Sequence, residues 1–285
     1  MDQSLDTIAS MRFQESSAYV KADWMPMIPL HLQSAAIVDM DCRTKMCAWF
    51  VQVVDFCKFR RETVEIALSY LDRFLLSPQG ADARVDRSLY QLASMTALYT
   101  AVKIHEAEAM DPNLVSKLSR GAYAPYEIEE MERILLTGLQ WRVNPPTTMS
   151  FVRELMNLIP QEAMDLETRN ALLDVTKFQI ELTVGRVELF LAPASLVALA
   201  ALQNSLSSLP IDDQLSDYIS YVFSNALQWN SSDAAVMSVQ DVMFEAVTQS
   251  SNDPAILRPC ERNHLTNKGE CRSPPDQSPR SISAI

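Results

Sequence analysis

Sixteen consecutive residues, Leu89 to Ile104, contain a single charged side chain, Lys103, near the C-terminal end of the run. A helix that is apolar on every side must be enclosed by other elements. Small residues recur four apart along the run, at Ala93, Ala97 and Ala101. A stripe of this kind lets neighbouring helices approach closely. The sequence therefore predicts a helix at the centre of a bundle, with a lysine at its end.

A second stretch is similar to this one. Residues 93–101 (ASMTALYTA) match residues 194–202 (ASLVALAAL) at an offset of 101 residues. The Glu-Thr pair at 62–63 opens a helical pattern, as the pair at 167–168 does at an offset of 105. Only five glycines occur in 285 residues, which favours helices joined by simple loops over sheets. We predict an all-α fold of two units, each with five helices around its third.

Helical periodicity gives the expected boundaries. The first unit has patterns at about 43–57, 62–76, 88–104, 112–119 and 125–139, and the second at about 147–158, 166–188, 193–206, 211–228 and 233–248. Pro145-Pro146 forbids helix continuation between them. We therefore expect an N-terminal segment at 1–40 with a short helix near 13–24, domains at 41–144 and 145–250, and a disordered tail at 251–285.

Composition argues against several classes of function. The net charge of −12 would repel a phosphate backbone, and no apolar stretch reaches the length of a membrane span, so neither nucleic acid nor membrane is an expected partner. No glycine-rich phosphate loop can be written, the three histidines lie far apart, and no hydrolase motif occurs. We expect no enzyme activity, cofactor or small-molecule ligand. Cys260, His264 and Cys271 lack a convincing fourth ligand for a metal.

Several motifs match one known family. Residues 70–75 read YLDRFL, Trp49 and Glu62-Thr63 precede them, and Lys103, Glu106 and Met131-Glu132 follow at spacings typical of that family. Leu139-Gln140-Trp141, followed by Pro146-Thr147, fits its next motif. The chain resembles the cyclins, strongly over residues 40–155 and weakly beyond. The short N-terminal segment and the Leu-Gln-Trp motif are more similar to those of D-type or divergent G1 cyclins than to those of mitotic ones.

The resemblance implies two tandem cyclin boxes and a heterodimer with a cyclin-dependent Ser/Thr kinase, which the chain would activate in controlling cell-cycle progression. Lys103 and Glu132 would bind backbone groups beside the regulatory helix of the kinase, and Ile104, Leu136 and Trp141 would form the apolar part of the contact. Without the resemblance, a lysine ending an apolar helix is most simply a cap whose ammonium reaches water. The alternatives are a transcription-associated cyclin-fold protein and a helical scaffold that binds no kinase.

Asp72-Arg73 is interpreted differently, because an acid and a base inside an apolar helix are most simply a structural ion pair or a packing anchor. The resemblance also implies a groove for substrate motifs of the Arg-x-Leu kind. Its positions here are Cys42, Lys45, Met46, Trp49, Gln52, Tyr90 and Gln91. Lys45 replaces an apolar floor residue and Gln52 replaces an acid, so each should weaken an arginine-bearing ligand by about 1 kcal/mol or more. We predict weak or absent docking, which micromolar peptide binding would contradict.

The tail offers weaker motifs. Ser273 and Ser278 each precede a proline and form minimal proline-directed phosphorylation sites, and residues 262–265 fit a loose R-x-x-L degradation pattern. The five scattered cysteines are typical of reduced intracellular thiols. Residence in the nucleus, the cytoplasm or both is implied by the resemblance alone, since no basic import cluster is present.

Overall fold

The computed structural model describes residues 2–28, 38–229 and 233–251, and these ranges contain eleven α-helices and no strand. The helices are α1 Asp2–Ser16, α2 Met40–Cys57, α3 Glu62–Leu76, α4 Arg87–His105, α5 Pro112–Leu118, α6 Pro125–Gly138, α7 Thr148–Met156, α8 Leu166–Thr183, α9 Ala194–Ser208, α10 Asp213–Leu227 and α11 Ala234–Ser251. The all-α prediction is confirmed. Of the tail predicted at 251–285, Ser251 ends α11, and residues 252–285 lie outside the described residues.

The first unit consists of α2–α6 packed around α4. Every residue of α4 from Leu92 to Val102 is buried, as its uniformly apolar sequence predicts. Asp86 caps the helix by accepting hydrogen bonds from the backbone amides of Ser88 and Leu89 at 2.7 and 3.0 Å. The helix therefore begins at a fixed point, and its other end reaches the surface at Lys103 and His105.

The second unit consists of α7–α11 packed around α9. Residues Ala194 to Gln203 are buried without interruption, so α9 is the counterpart of α4 that the sequence echo predicts. Its N-cap is Pro193, which supplies no side-chain hydrogen bond. The backbone amides at that end have no partner within the helix and need an acceptor from elsewhere in the chain.

That acceptor comes from α1. Glu15 accepts hydrogen bonds from the backbone amide and hydroxyl of Ser195 at 2.9 and 2.6 Å, and Ile8 is fully buried in the second core. The helix expected near 13–24 was wrongly placed: α1 ends at Ser16, where the hydroxyls of Ser16 and Ser17 turn back to the carbonyl of Phe13. Trp24 follows in irregular chain and is buried in the first core.

Polar bonds join the two units beside Pro145-Pro146. Arg153 donates to the Glu62 carboxylate at 2.8 and 3.0 Å, and Glu65 accepts from the amide and hydroxyl of Thr148 at 2.9 and 2.8 Å. The glutamates lie on α3 and their partners on α7, so two elements of different units meet directly.

The helix predicted at 166–188 is shorter than expected, since α8 ends at Thr183 and a short 3-10 helix follows at Val187–Leu189. A Cβ on Gly185 would lie 2.8 Å from Sγ of Cys47, so the chain approaches the first unit too closely there for a larger residue. Within the described ranges, none of the helices is long and apolar enough to cross a membrane.

Candidate functional site

Lys103 and Glu132 form an ion pair across α4 and α6. Lys103 Nζ lies 3.0 and 3.2 Å from the two carboxylate oxygens of Glu132. The lysine side chain is 48% exposed and that of the glutamate 12%, so the pair lies at the surface above a buried helix. The hydrogen bond that Lys103 donates to Glu132 raises the pKa of Lys103, and the Nζ also lies 5.5 Å from the ring centroid of Tyr99. The ammonium is therefore charged and held in one place.

The C-terminal end of α4 is fixed by the start of α3. Arg60 donates to the carbonyl of His105, and its backbone amide donates to Glu106 at 3.1 Å. The Thr63 hydroxyl donates to the same carboxylate. A cation at the carbonyl end of a helix complements the helix dipole. The turn of α4 that carries Lys103 is thus anchored on both sides.

The three apolar residues of the predicted interface lie on the same part of the molecule. Ile104 is 41% exposed and Trp141 is 70% exposed, whereas Leu136 is half-buried. Glu132 and Leu136 are one turn apart on α6 and so share a face of that helix. The amide of Trp141 donates to the carbonyl of Leu136 at 3.0 Å, which holds the backbone of Trp141 at the C-terminal end of α6. Each of the three therefore presents some apolar area on, or directly after, the two helices that carry the ion pair.

Asp72 and Arg73 contact different elements and do not pair with each other. Asp72 accepts a bidentate hydrogen bond from the buried Arg43 of α2, with its shortest distance at 2.8 Å. Arg73 donates to the carbonyls of Arg142 and Leu139 at 2.8 and 3.3 Å. The first contact joins α2 to α3, and the second holds the chain that carries Trp141.

The predicted substrate groove is largely covered. Its apolar members are buried, with exposures of 3% for Cys42, 1% for Met46, 7% for Trp49 and 2% for Tyr90. The Trp24 ring lies 6.4 Å from that of Tyr90, between centroids, and belongs to the same core.

The polar members of that groove lie in other surroundings. Lys45 was expected in the floor, but it is exposed and pairs with Asp41 one turn earlier at 2.7 Å, because its position on α2 faces solvent. Gln52 is exposed, and Gln91 accepts a hydrogen bond from the Tyr123 hydroxyl at 3.3 Å. The weak docking of Arg-x-Leu motifs stays a prediction.

Other predicted positions lie outside the described residues, namely Ser273, Ser278, Cys260, His264 and Cys271. In the part of the chain that the structure describes, no group of three or more metal-ligating side chains comes together. Burial raises the pKa of the Cys47 thiol to about 11, which makes it a poor nucleophile at neutral pH.

The sequence reasoning missed three side chains that support this site. Arg60 fixes the end of α4, and Tyr70 and His105 bond the carbonyl of Val143 close to Trp141. Tyr70 and Arg73 lie three residues apart on α3 and so share a face, which is a signal that the sequence does contain. Their partners are backbone carbonyls, which no residue pattern identifies.

The comparisons with known proteins agree on one family. Residues 6–144 match the family described as "Cyclin, N-terminal domain". Over 129 residues the chain is 29% identical to the G1/S-specific cyclin-E1 of Gallus gallus, covering 45% of this chain and 31% of that protein. Over 184 residues it is 27% identical to the G2/mitotic-specific cyclin-2 of Medicago sativa, covering 64% of this chain and 52% of that protein. The chain therefore spans about half or less of these curated relatives.

Two solved structures share the fold. A viral cyclin from herpesvirus saimiri superposes with a TM-score of 0.57 at 17% identity, over 78% of this chain and 94% of that one. A chain of the CAK complex of Chaetomium thermophilum, solved with ATP-gamma-S, gives a TM-score of 0.50 at 16% identity, over 88% of this chain and 79% of that one. At these identities the likeness concerns the fold.

Proposed function

We propose that this chain is the regulatory subunit of a cyclin-dependent Ser/Thr kinase, because residues 6–144 match the N-terminal domain of the cyclins. It binds the kinase as a heterodimer through the surface around Lys103 and Glu132 and activates it. The chain contributes no catalytic group of its own in this proposal. The kinase supplies the nucleotide site and the phosphoryl transfer.

The observation that carries the proposal is the exposed ion pair at the end of a buried helix. The ammonium of Lys103 offers donors and the carboxylate of Glu132 offers acceptors, so the pair can bond the carbonyls and amides of an incoming backbone. The two charges neutralise each other in the free protein, and each keeps free hydrogen-bonding capacity. A rigid pair of this kind loses little conformational entropy on binding.

Activation follows from what a protein kinase needs. Phosphoryl transfer requires the ion pair between the kinase's own β3 lysine and αC glutamate, and the position of αC controls that pair. A partner that binds beside αC and presses it inward stabilises the active arrangement. Ile104, Leu136 and Trp141 supply the apolar surface for such a contact, because each presents some apolar area to solvent.

The proposal includes a role of the kinase complex in cell-cycle progression. It is supported by the names of the relatives, which are G1/S-specific and G2/mitotic-specific cyclins. Residence in the nucleus, the cytoplasm or both belongs to the same proposal. A transcription-associated kinase is the alternative partner, and a panel of kinases distinguishes the two.

The test is a co-precipitation with a histone-kinase readout against a panel of cyclin-dependent kinases. Wild type is compared with a Lys103→Ala/Glu132→Ala variant whose helical content and melting temperature are measured first. We expect one kinase to bind and become active with wild type, and binding and activity to fall at least tenfold with the variant.

The matched control is Lys177→Ala on α8. Its side chain is 57% exposed and lies 3.8 Å from a glutamate, so it resembles Lys103 in exposure and charge but belongs to the second unit. It should bind the kinase as wild type does. If folded wild type binds no kinase of the panel, the activator proposal fails and the helical-scaffold alternative replaces it.

A further inference from the structure

The connection after α6 has an unusual backbone. Gln140 and Trp141 follow each other with φ of 53° and 60°, in the left-handed region that side chains disfavour. At Gln140 this is an ordinary helix ending, since its amide bonds the carbonyl of Thr137 and the next amide bonds that of Leu136. The left-handed conformation of Trp141 needs a separate explanation.

The end of α5 has two consecutive left-handed residues as well, whereas α2 and α10 end with one, Lys58 and Gln228. At α5, Arg120 and Gly121 have φ of 57° and 76°, and their amides bond the carbonyls of Lys117 and Ser116 in the same pattern. The second left-handed position is glycine at α5 and tryptophan at α6. The indole is 70% exposed, so packing within the chain does not account for its presence. A bulky residue in a glycine conformation, with its side chain in solvent, indicates a side chain required by a partner.

Three side chains from α3 and α4 hold this connection by its carbonyl groups. Arg73 donates to the carbonyls of Leu139 and Arg142, on either side of Trp141. The Tyr70 hydroxyl donates to the carbonyl of Val143, and His105 Nε2 lies 3.0 Å from that oxygen. The three side chains therefore hold three of the five carbonyl groups from Leu139 to Val143 by hydrogen bonds.

The geometry also determines which atoms of Tyr70 and His105 carry hydrogens. The carbonyl of Val143 can only accept, and it receives the hydroxyl hydrogen of Tyr70. His105 Nε2 lies 3.0 Å from both the carbonyl oxygen and the Tyr70 hydroxyl oxygen, so it must carry a hydrogen to bond either of them. Burial raises the pKa of Tyr70, and its hydroxyl therefore keeps its hydrogen at neutral pH.

We propose that Tyr70, Arg73 and His105 are positioning residues that hold the backbone of 139–143 so that Trp141 projects into an apolar recess of the kinase partner. The inference rests on the proposed function, because it requires a kinase partner whose surface receives Trp141. His105 ends α4 two residues after Lys103, so one helix end positions both the ion pair and the indole.

The first experiment measures how Trp141 is held without any kinase. The chain is labelled with 5-fluorotryptophan, and the Trp141 resonance is assigned by its loss in Trp141→Phe. We expect His105→Ala and Tyr70→Phe to shift or broaden that resonance, while the three other tryptophan signals stay in place. His105→Gln should restore it, because the glutamine amide can donate from near the position of Nε2. An unchanged Trp141 signal in His105→Ala would overturn the positioning role.

The second experiment measures the affinity for the kinase found with the panel, as a double-mutant cycle. His105→Ala alone should weaken binding about fivefold or more, and Trp141→Ala should weaken it further. In the Trp141→Ala background the histidine change should have no added effect, because its effect acts through the indole. Ile219→Val, a mild substitution in the second core, should lower the melting temperature and leave the affinity unchanged. Additive effects of His105→Ala and Trp141→Ala would contradict the proposal.

A pair of glycine substitutions separates strain from function. Gln140→Gly and Trp141→Gly both relieve a left-handed residue, so both should raise the melting temperature. Only Trp141→Gly should lose affinity for the kinase. If Trp141→Gly binds as wild type does, the recess assignment is wrong. If wild type binds no kinase but the fluorine signals respond as expected, the proposed function has failed, along with the recess, while the positioning of Trp141 stands.

Discussion

The central helices of the two units have equivalent cores and different ends. The middle of each helix is buried, from Leu92 to Val102 in α4 and from Ala194 to Gln203 in α9, and alanines recur along both runs. At the offset of 101 residues, Lys103 corresponds to Asn204. Asn204 donates to the carbonyl of Gln240 on α11 at 3.1 Å, a contact within its own unit. Lys103 instead forms an exposed ion pair at the end of α4.

The core of such a helix fixes the fold of its unit, whereas its last turn determines whether the unit presents a binding surface. The last turn of α4 contains Lys103 and His105, and the last turn of α9 contains no basic residue. Near the end of α9, Asn204 bonds a carbonyl of its own unit. An exposed end with a rigid pair of charges has bonding capacity left for a partner.

The largest effect should come from the cores that the two helices share. Leu98 and Leu199 are equivalent at the same offset, and both are buried. Leu98→Ala and Leu199→Ala should each lower the free energy of unfolding by about 2–5 kcal/mol, through lost apolar contact and a cavity. Urea denaturation followed by circular dichroism measures both. A small loss in Leu199→Ala alone would mean that α9 does not organise its unit as α4 does.

The next effect concerns the ion pair. The double variant Lys103→Glu/Glu132→Lys reverses both charges and keeps a pair, so stability should change by less than about 1 kcal/mol. The donors and acceptors are exchanged, so affinity for the kinase should fall at least tenfold. Thermal melting and a binding isotherm give the two numbers. If the reversed pair still binds the kinase, the Lys103–Glu132 pair has only a structural role, as Asn204 has on α9.

The starts of the two helices give a third comparison. Asp86 caps α4 from its own N-cap position, and Glu15 of α1 provides the carboxylate for α9. Asp86→Ala and Glu15→Ala should each cost about 1 kcal/mol of unfolding free energy, since each leaves amide hydrogens at a helix end unbonded. Asp86→Asn and Glu15→Gln keep an acceptor oxygen and should cost less. If the Glu15→Ala variant were as stable as wild type, Glu15 would not stabilise the start of α9.

The smallest effect is at the junction of the units. Burial acts against ionisation of Glu62, but the hydrogen bonds from Arg153 and Thr147 prevail and lower its pKa below the usual 4.5. Its contribution to stability is present above pH 4.5 and is lost as the pH falls through the lowered value. Because Arg153 is 52% exposed, we expect less than about 1 kcal/mol.

The measurement is the difference in melting temperature between wild type and Glu62→Gln across pH. It should be largest near neutral pH and shrink below pH 4.5, because both chains then carry an uncharged side chain. A difference that is constant from pH 7 to pH 3 would contradict an ionic contribution from Glu62.

The helices were predictable where apolar spacing was strong. The expected 62–76 is α3 itself, because its buried residues recur at helical intervals. The position of α1 was predicted wrongly because Ile8 is the one fully buried residue among its described residues, so its sequence has little apolar periodicity. The end of α8 was missed because Gly185 meets Cys47 of the other unit, and a contact between units does not appear in local sequence.

The site was predictable only in part, for a physical reason. Lys103 and Glu132 were identified by resemblance to the cyclins, and the structure brings the two side chains together. The supports of the site bond main-chain carbonyls such as that of Val143, and every residue has one of these. Side-chain identity therefore carries no information about which carbonyl Tyr70 or His105 will reach.

The position of α1 has a consequence for how the protein is made. Residues 2–16 leave the ribosome before the rest of the described chain, yet Ser195 and Trp229, which Glu15 and Arg12 contact, are synthesised some two hundred residues later. Domains generally fold as they emerge, so the first unit can assemble while α1 is still without its binding surface. Among the described helices α1 therefore has to wait for partners made much later, and the second unit is complete only when α1 binds it.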